Sequence, residues 1–210
     1  MWGRPQRARS RTGTSSSIRT DLDAWLAAVL ATPGLTALRD PTRAREMLLD
    51  DALRALPLLD SYAGPLIDVG SGGGAPGIPL ATALPKREVT LLDAERRKCD
   101  FLRRWAPPNA GVVWGRAEEQ PIERWGVAVA KALAQPPVAA ELCLPLVRSG
   151  GAAILWVGPT ADLEALTRVS LLLGGGEAEL DEGLVVLPKV AATPAGFPRR
   201  IGVAKKRPLA

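Results

Sequence analysis

The sequence predicts an α/β fold: a doubly wound, mostly parallel seven-stranded sheet with a small N-terminal helical cap. Three observations carry the prediction. From Pro65 onward, short apolar runs alternate with stretches of helical period, the pattern of a parallel sheet covered on both faces. A glycine-rich turn directly follows the first apolar run. Before Pro65 the apolar residues recur only at helical spacing.

Residues 1–17, rich in Arg, Ser, Thr and Gly, have no apolar period and read as a disordered basic tail. Residues 18–64 form the cap. Leu22, Trp25, Leu26, Val29 and Leu30 mark one helix from Ile18, and Met47, Leu48, Ala52, Ala55 and Leu56 mark a second over 42–59. Residues 65–210 make the main domain. Its strands are expected at 66–69, 88–93, 111–114, 126–131 and 151–157, with helices at 79–84, 95–105, 137–147 and 161–173. After Gly176 the helical pattern stops, and 177–187 and 200–205 read as the two final strands.

The bulk composition excludes several classes of function. The 210-residue chain contains no histidine, which removes the usual general base, the usual zinc ligand and every Ser-His or Cys-His pair. The two cysteines, Cys99 and Cys143, fall in predicted helices without the spacing of a metal site or a staple, so no metal is expected. The longest apolar run is too short for a membrane span and no hydrophobic signal core is seen, which predicts a soluble cytoplasmic protein, expected as a monomer. Net charge is +5, yet residues 1–19 and 188–210 together carry +11, leaving −6 for the body. Basic ends of that kind suit a polyanion, and Arg199, Arg200, Lys205, Lys206 and Arg207 are the candidate nucleic-acid contacts.

The strongest local signal is Asp68-Val-Gly70-Ser-Gly72-Gly-Gly74-Ala75-Pro-Gly77-Ile-Pro79. Glycine permits a left-handed turn and removes the Cβ atoms that block a ligand, and Pro79 suits the first position of the next helix. Gly72, Gly74 and Gly77 also spell G-x-G-x-x-G, so a nicotinamide dehydrogenase must be weighed. The register argues against it, because the turn begins at Gly70 and prolines sit where a pyrophosphate would need free amides. Asp68, at the end of the strand, suits a cationic sulfonium bearing an amino group better than two phosphates, which points to S-adenosylmethionine. Asp93 ends the second strand, where its carboxylate can accept both ribose hydroxyls. The sulfonium reading assigns Asp68, Gly70, Gly72, Gly74 and Asp93 to the cofactor, and a hairpin of strands six and seven is what the methyltransferase variant of the doubly wound fold adds to the sheet.

These residues resemble the bacterial ribosomal RNA small-subunit methyltransferase G family, also called glucose-inhibited division protein B. The resemblance covers residues 35–210. It rests on Leu35–Pro41, Leu49–Leu53, Ile67–Ala81 with its Pro-Gly-Ile-Pro, Leu91–Asp93 with Lys98 and Phe101-Leu102, Arg116–Glu119, and the tail segments Phe197–Gly202 and Lys205–Leu209. It implies methyl transfer from S-adenosylmethionine to N7 of a guanine in 16S ribosomal RNA, as free RNA or an assembling small subunit. It also implies cofactor contacts at Gly70, Ala75, Ala117 and Glu118. The family's arginine after the fourth strand falls on Lys131, which keeps the charge for cofactor or RNA and loses the planar fork. Met47-Leu-Leu49 stands where the family has a histidine before Leu-Asp.

Guanine N7 carries an exposed lone pair and no proton, so no general base is assigned. Two alternatives stay open: an RNA-binding or regulatory homologue with weakened turnover, and transfer to an exocyclic amine. The second class places Asn/Asp-Pro-Pro-aromatic after the fourth strand, where this chain has Gln135-Pro136-Pro137-Val138. Transfer to cytosine C5 would need a cysteine nucleophile at a strand end.

Overall fold

A computed structural model describes residues 14–158 and 160–210. Helix α1 (Thr14–Ala31) is followed by α2 (Pro41–Ala44), a π-helical turn (Arg45–Asp50) and α3 (Asp51–Leu53), then α4 (Leu56–Leu59). The expectation of a tail over 1–17 falls mostly outside the described residues; α1 already includes residues 14–17. Pro57 lacks the amide that would bond one turn back, and the helix expected over 42–59 breaks at residues 54–55.

The main domain runs β1 (Leu66–Val69), α5 (Gly77–Ala83), β2 (Val89–Asp93), α6 (Arg96–Trp105), β3 (Ala110–Trp114), β4 (Trp125–Lys131), α7 (Pro136–Cys143), β5 (Val147–Trp156), α8 (Leu163–Leu172), β6 (Glu179–Asp181), β7 (Leu184–Pro188) and α9 (Val203–Lys206). The sheet order is β3-β2-β1-β4-β5-β7-β6. Strands β1 to β5 are parallel, while β7 pairs antiparallel with β5 and with β6. Seven strands, mostly parallel, with helices on both faces are therefore present as expected. Sheets of this kind bury their strands on both sides, which is why β4 reads as a nearly continuous apolar run and why every residue of β1, Asp68 included, is buried.

Side chains alternate between two cores. Leu66, Leu91, Val127, Val129 and Ile154 face α1, α5, α6 and the rest of the cap, where Trp25, Val29, Leu49 and Leu59 are buried. Ile67, Val69, Leu92, Ala128 and Ala130 face α7 and α8. The chain winds from β1 outward through β2 to β3, then returns to β4 on the other side of β1. Such a reversal opens a crevice beyond the carboxyl ends of the two central strands.

Two expected strands are corrected. Residues 177–187 are not one strand, because Glu182 and Gly183 take φ of 46° and 85°, a two-residue left-handed turn whose twist suits a hairpin. Residues 200–205 form no strand. Gly202 lies at φ 76°, the Val203 amide bonds the Arg200 carbonyl, and the chain turns into α9. The second expected strand is thus the return arm of that hairpin, and it is β7 that occupies the outer side of β5. Helix α5 starts two residues early, with Pro79 inside its first turn rather than at its first position. Pro145 ends α7 early, in a 3₁₀ turn at Leu144–Leu146.

Candidate active site

The crevice is floored by the turn after β1. Gly70, Gly72 and Gly74 all take left-handed φ, 76°, 56° and 106°. The amides of Gly70 and Ser71 both donate to the Leu92 carbonyl, at 2.8 and 2.9 Å, which ties the turn to β2. Among the described residues a Cβ at Gly72 would meet nothing nearer than 3.8 Å, so that position faces open space, while at Gly70 it would strike Leu133 Cδ1 at 2.5 Å. Gly74 is closed in by Ile78 and by Trp25. Glycine at 70 thus serves the turn and makes room for Leu133, while glycine at 72 serves the turn and leaves its position open.

Asp93 is held by the turn it supports. Its Oδ2 accepts from the Gly72 amide at 2.8 Å and its Oδ1 from the Glu95 amide at 2.8 Å. Each oxygen keeps a further lone pair. Asp68 is fully buried beneath the turn, with Oδ2 accepting from the Gly77 amide at 3.0 Å and Oδ1 without a partner among the described residues. Burial pushes its carboxyl up to about 7, with the Gly77 amide opposing and Asp93 adding to the rise. Direct contact with a sulfonium or amino group, expected from sequence, is replaced by a role under the turn. This arrangement also disfavours a dinucleotide, because a carboxylate occupies the helix start that would have to face phosphate.

Above the turn, Gly70, Ser71, Gly72, Gly73, Ala75 and Lys131 join Trp25, Val29, Leu35, Thr36 and Leu48 around a cavity of about 280 Å³. A second lobe meets it at Gly70, bounded by Leu92, Asp93, Gly115, Ala117, Glu118 and Leu133. The two lobes bring together Gly70, Gly72, Ala75, Asp93, Ala117, Glu118 and Lys131, as the sequence groups them. Gly74 and Asp68 stand behind this wall. The cap contribution was not foreseen: Trp25 Nε1 donates to the Gly73 carbonyl at 2.9 Å and so holds the turn from above. Its helical spacing showed only that Trp25 is core. Leu133 was missed too, since an apolar residue after a strand has no mark of its own.

Two of the expected RNA contacts are corrected. The Lys131 ammonium donates to the Asp51 carboxylate and to the Met47 carbonyl, and its side chain is only 14 % exposed. It pins the cap to the end of β4 and is not presented to a phosphate. Arg199 forks onto the carboxylate of Glu141, itself 2 % exposed, and also donates to the Arg207 carbonyl at 2.8 Å. That bond to Glu141 holds the guanidinium above its ordinary pKa. Arg200, Lys205, Lys206 and Arg207 are exposed. Glu118 accepts from the Gly202 amide at 3.0 Å, so the tail is also fastened to the second lobe. Both cysteines are buried, Cys99 in α6 and Cys143 at the end of α7, and burial raises both thiols, which removes a C5-type nucleophile.

A left-handed glycine turn with an open position at Gly72, a carboxylate with spare lone pairs at the end of β2, and a second lobe beside Ala117 fit S-adenosylmethionine. Solved structures share the architecture. A protein of Agrobacterium tumefaciens described as a predicted O-methyltransferase aligns with TM-score 0.51 at 21 % identity, covering 65 % of this chain and 77 % of that one. A protein of Corynebacterium glutamicum aligns with TM-score 0.52 at 16 % identity, covering 86 % and 93 %. Fold and site together define a methyltransferase that uses S-adenosylmethionine.

The sequence comparisons narrow the class. The family model described as GidB, rRNA small subunit methyltransferase G, matches residues 21–173. Relatives named ribosomal RNA small subunit methyltransferase G are similar over most of their length. That of Synechococcus elongatus is 39 % identical over 198 residues, 83 % of this chain and 82 % of its own, and that of Clostridium beijerinckii is 34 % identical over 197 residues, with the same coverage. The chain belongs to the rRNA small subunit methyltransferase G family.

Proposed function

We propose that this chain transfers the methyl group of S-adenosylmethionine to N7 of a guanine in 16S ribosomal RNA. The observation that carries the reading is the engagement of the charged groups around Gly70. Asp68 is fully buried beneath the turn with Oδ2 on the Gly77 amide, Asp93 accepts from two amides that leave its other lone pairs for the ribose, Glu118 accepts from the Gly202 amide and Lys131 is held on Asp51. None is poised to take a proton from an acceptor, and N7, a bare lone pair, has none to give. The family membership points to the same substrate.

When bound, the cofactor supplies an electrophilic methyl on a sulfonium. The chain's own part is to hold and orient. Gly72 admits close approach, Asp93 offers acceptor lone pairs to the ribose, and Ala117 and Glu118 bound the lobe suited to adenine. Leu133 and the cap residues Trp25, Val29 and Leu35 exclude water. Alignment of nucleophile, carbon and leaving group, rather than proton transfer, then sets the rate. The exposed Arg200, Lys205, Lys206 and Arg207 meet RNA phosphates. No helix among the described residues is long and apolar enough to cross a membrane, and a ribosomal substrate implies action in the bacterial cytoplasm.

Deleting the gene and mapping 7-methylguanine in 16S RNA tests this. One such guanine should vanish and return on complementation. An unchanged 7-methylguanine pattern, or loss of a base methylated on an exocyclic amine, would refute it.

A further inference from the structure

Of the five tryptophans among the described residues, Trp25 and Trp125 are buried and Trp105 and Trp156 half-buried, whereas Trp114 is 56 % exposed. It ends β3 in register with Asp93 of β2, so its backbone stands one strand spacing, about 4.8 Å, from that of the carboxylate assigned to the ribose. The exposed indole is nonetheless fixed. Its Nε1 donates to the Ala94 carbonyl at 3.0 Å, and the Arg96 guanidinium lies 5.6 Å from the ring centroid. We infer that Trp114 is a stacking platform for an unpaired base of the RNA, flanked by arginines that meet its phosphates, and that it seats the substrate beside the crevice without touching the reacting atoms. The inference rests on the rRNA reading above.

Chemistry supports it first. An indole held in water forgoes the burial that its large apolar area would have in a core, and it gains that burial only against a partner. The surrounding charge selects the partner. Arg96 and Arg97 at the start of α6 and Arg116 just beyond β3 are exposed, and none of them forms an ion pair among the described residues. The acids beside them are engaged, Glu95 with Lys98 at 2.7 Å and Glu119 with the Arg116 amide at 3.2 Å. An aromatic face set among free guanidinium groups fits a base with phosphates on either side, and it fits single-stranded RNA, because a duplex keeps the faces of its bases covered. An acidic protein surface would answer the arginines and leave the ring in water.

Placement supports it second. Arg97 packs against Gly34 of the cap, next to Leu35 and Thr36, which line the cofactor cavity. Arg116 borders the second lobe, and two residues further on Glu118 accepts from the Gly202 amide, which leads into α9 with Lys205 and Lys206. Basic side chains thus follow the β2–β3 rim of the crevice from α6, past Trp114 and Arg116, to the tail.

The test uses the full-length protein and protein-free 16S RNA lacking the modification, with RNA affinity measured by filter binding across a salt series and S-adenosylmethionine affinity by calorimetry. Trp114→Ala should weaken RNA binding about tenfold with the salt slope unchanged, because stacking releases no counterion. Trp114→Phe keeps an aromatic face and loses the bond to Ala94, so it should bind within about threefold of wild type. Changing Arg96, Arg97 and Arg116 together to Gln should flatten the slope by roughly one unit per lost phosphate contact. All these variants should keep wild-type cofactor affinity. Unchanged RNA affinity in Trp114→Ala, beside a wild type that binds and methylates RNA, overturns the platform alone. Trp114→Phe as weak as Trp114→Ala overturns it in favour of the bond to Ala94, and lost cofactor affinity in Trp114→Ala overturns it in favour of a wall of the cofactor lobe. A defect on assembled small subunits but not on protein-free RNA overturns it in favour of a protein contact. A wild type that binds the cofactor and no 16S RNA overturns the parent reading, and this one with it.

Discussion

Replacing Gly72 separates the ligand's need for space from the fold's need for a turn. At φ 56° a side chain costs about 1–2 kcal/mol for the left-handed backbone, and a β-branched one adds restriction at χ1. Among the described residues a Cβ there meets only the Gly70 carbonyl oxygen, at 3.8 Å. The total for Gly72→Val is about 2–3 kcal/mol, less than the roughly 5–15 kcal/mol that stabilises a domain, so the protein stays folded. The valine projects into the cavity of about 280 Å³ and should weaken S-adenosylmethionine binding about a hundredfold or more, roughly 3 kcal/mol. Gly72→Ala should fall between. Calorimetry gives the affinity and thermal melting the stability, with Gly111→Ala, whose Cβ meets nothing within 4 Å, as a remote control. Unchanged affinity in a folded Gly72→Val protein would refute the assignment of the turn.

Three other outcomes follow from the same geometry. Asp68 has a carboxyl pKa raised by burial to about 7, so the native state holds a proton that the unfolded chain releases near pH 4; stability should fall as pH rises from about 4 to 7, by on the order of 4 kcal/mol at most. Asp68→Asn should flatten that slope in pH-dependent denaturant melts, and an unaltered slope would contradict the burial argument. A double-mutant cycle of Lys131→Met and Asp51→Asn should give a coupling of about 1–2 kcal/mol in urea unfolding, and Lys131→Met should leave the salt dependence of RNA binding unchanged; zero coupling would undo the pinning role. Neutralising Arg200, Lys205, Lys206 and Arg207 together should weaken RNA binding and flatten its salt dependence by roughly one unit of slope per lost phosphate contact, with cofactor affinity retained; an identical slope would make these residues a solubility feature.

The strands around the site were legible because parallel strands are rich in apolar residues, and β1 to β5 lie close to where the short apolar runs fall, the half-exposed edge strand β3 included. The tail misled for a definable reason. Arg200-Ile-Gly-Val-Ala-Lys205 has the apolar content of a strand, but Gly202 is spent on a left-handed turn. The hairpin hid inside 177–187 because Glu182-Gly183 is a less telling turn signal than Asn-Gly. Glycines and Asp93 could be read at the site because their roles depend on neighbours a few residues away or at the end of an adjacent strand. Lys131 and Arg199 could not, since their partners lie 80 and 58 residues distant and a sequence displays charge without displaying what neutralises it. The same applies to Trp25, whose bond to the turn spans 48 residues.

The central claim meets its most direct test in a purified reaction. The protein is incubated with methyl-labelled S-adenosylmethionine and 16S RNA from a strain lacking the gene, and the RNA is then cleaved chemically at 7-methylguanine. The account predicts label in RNA, confined to one guanine and released at a single N7-specific cleavage. Cofactor binding without any label in RNA, or label that resists N7-specific cleavage, would contradict it.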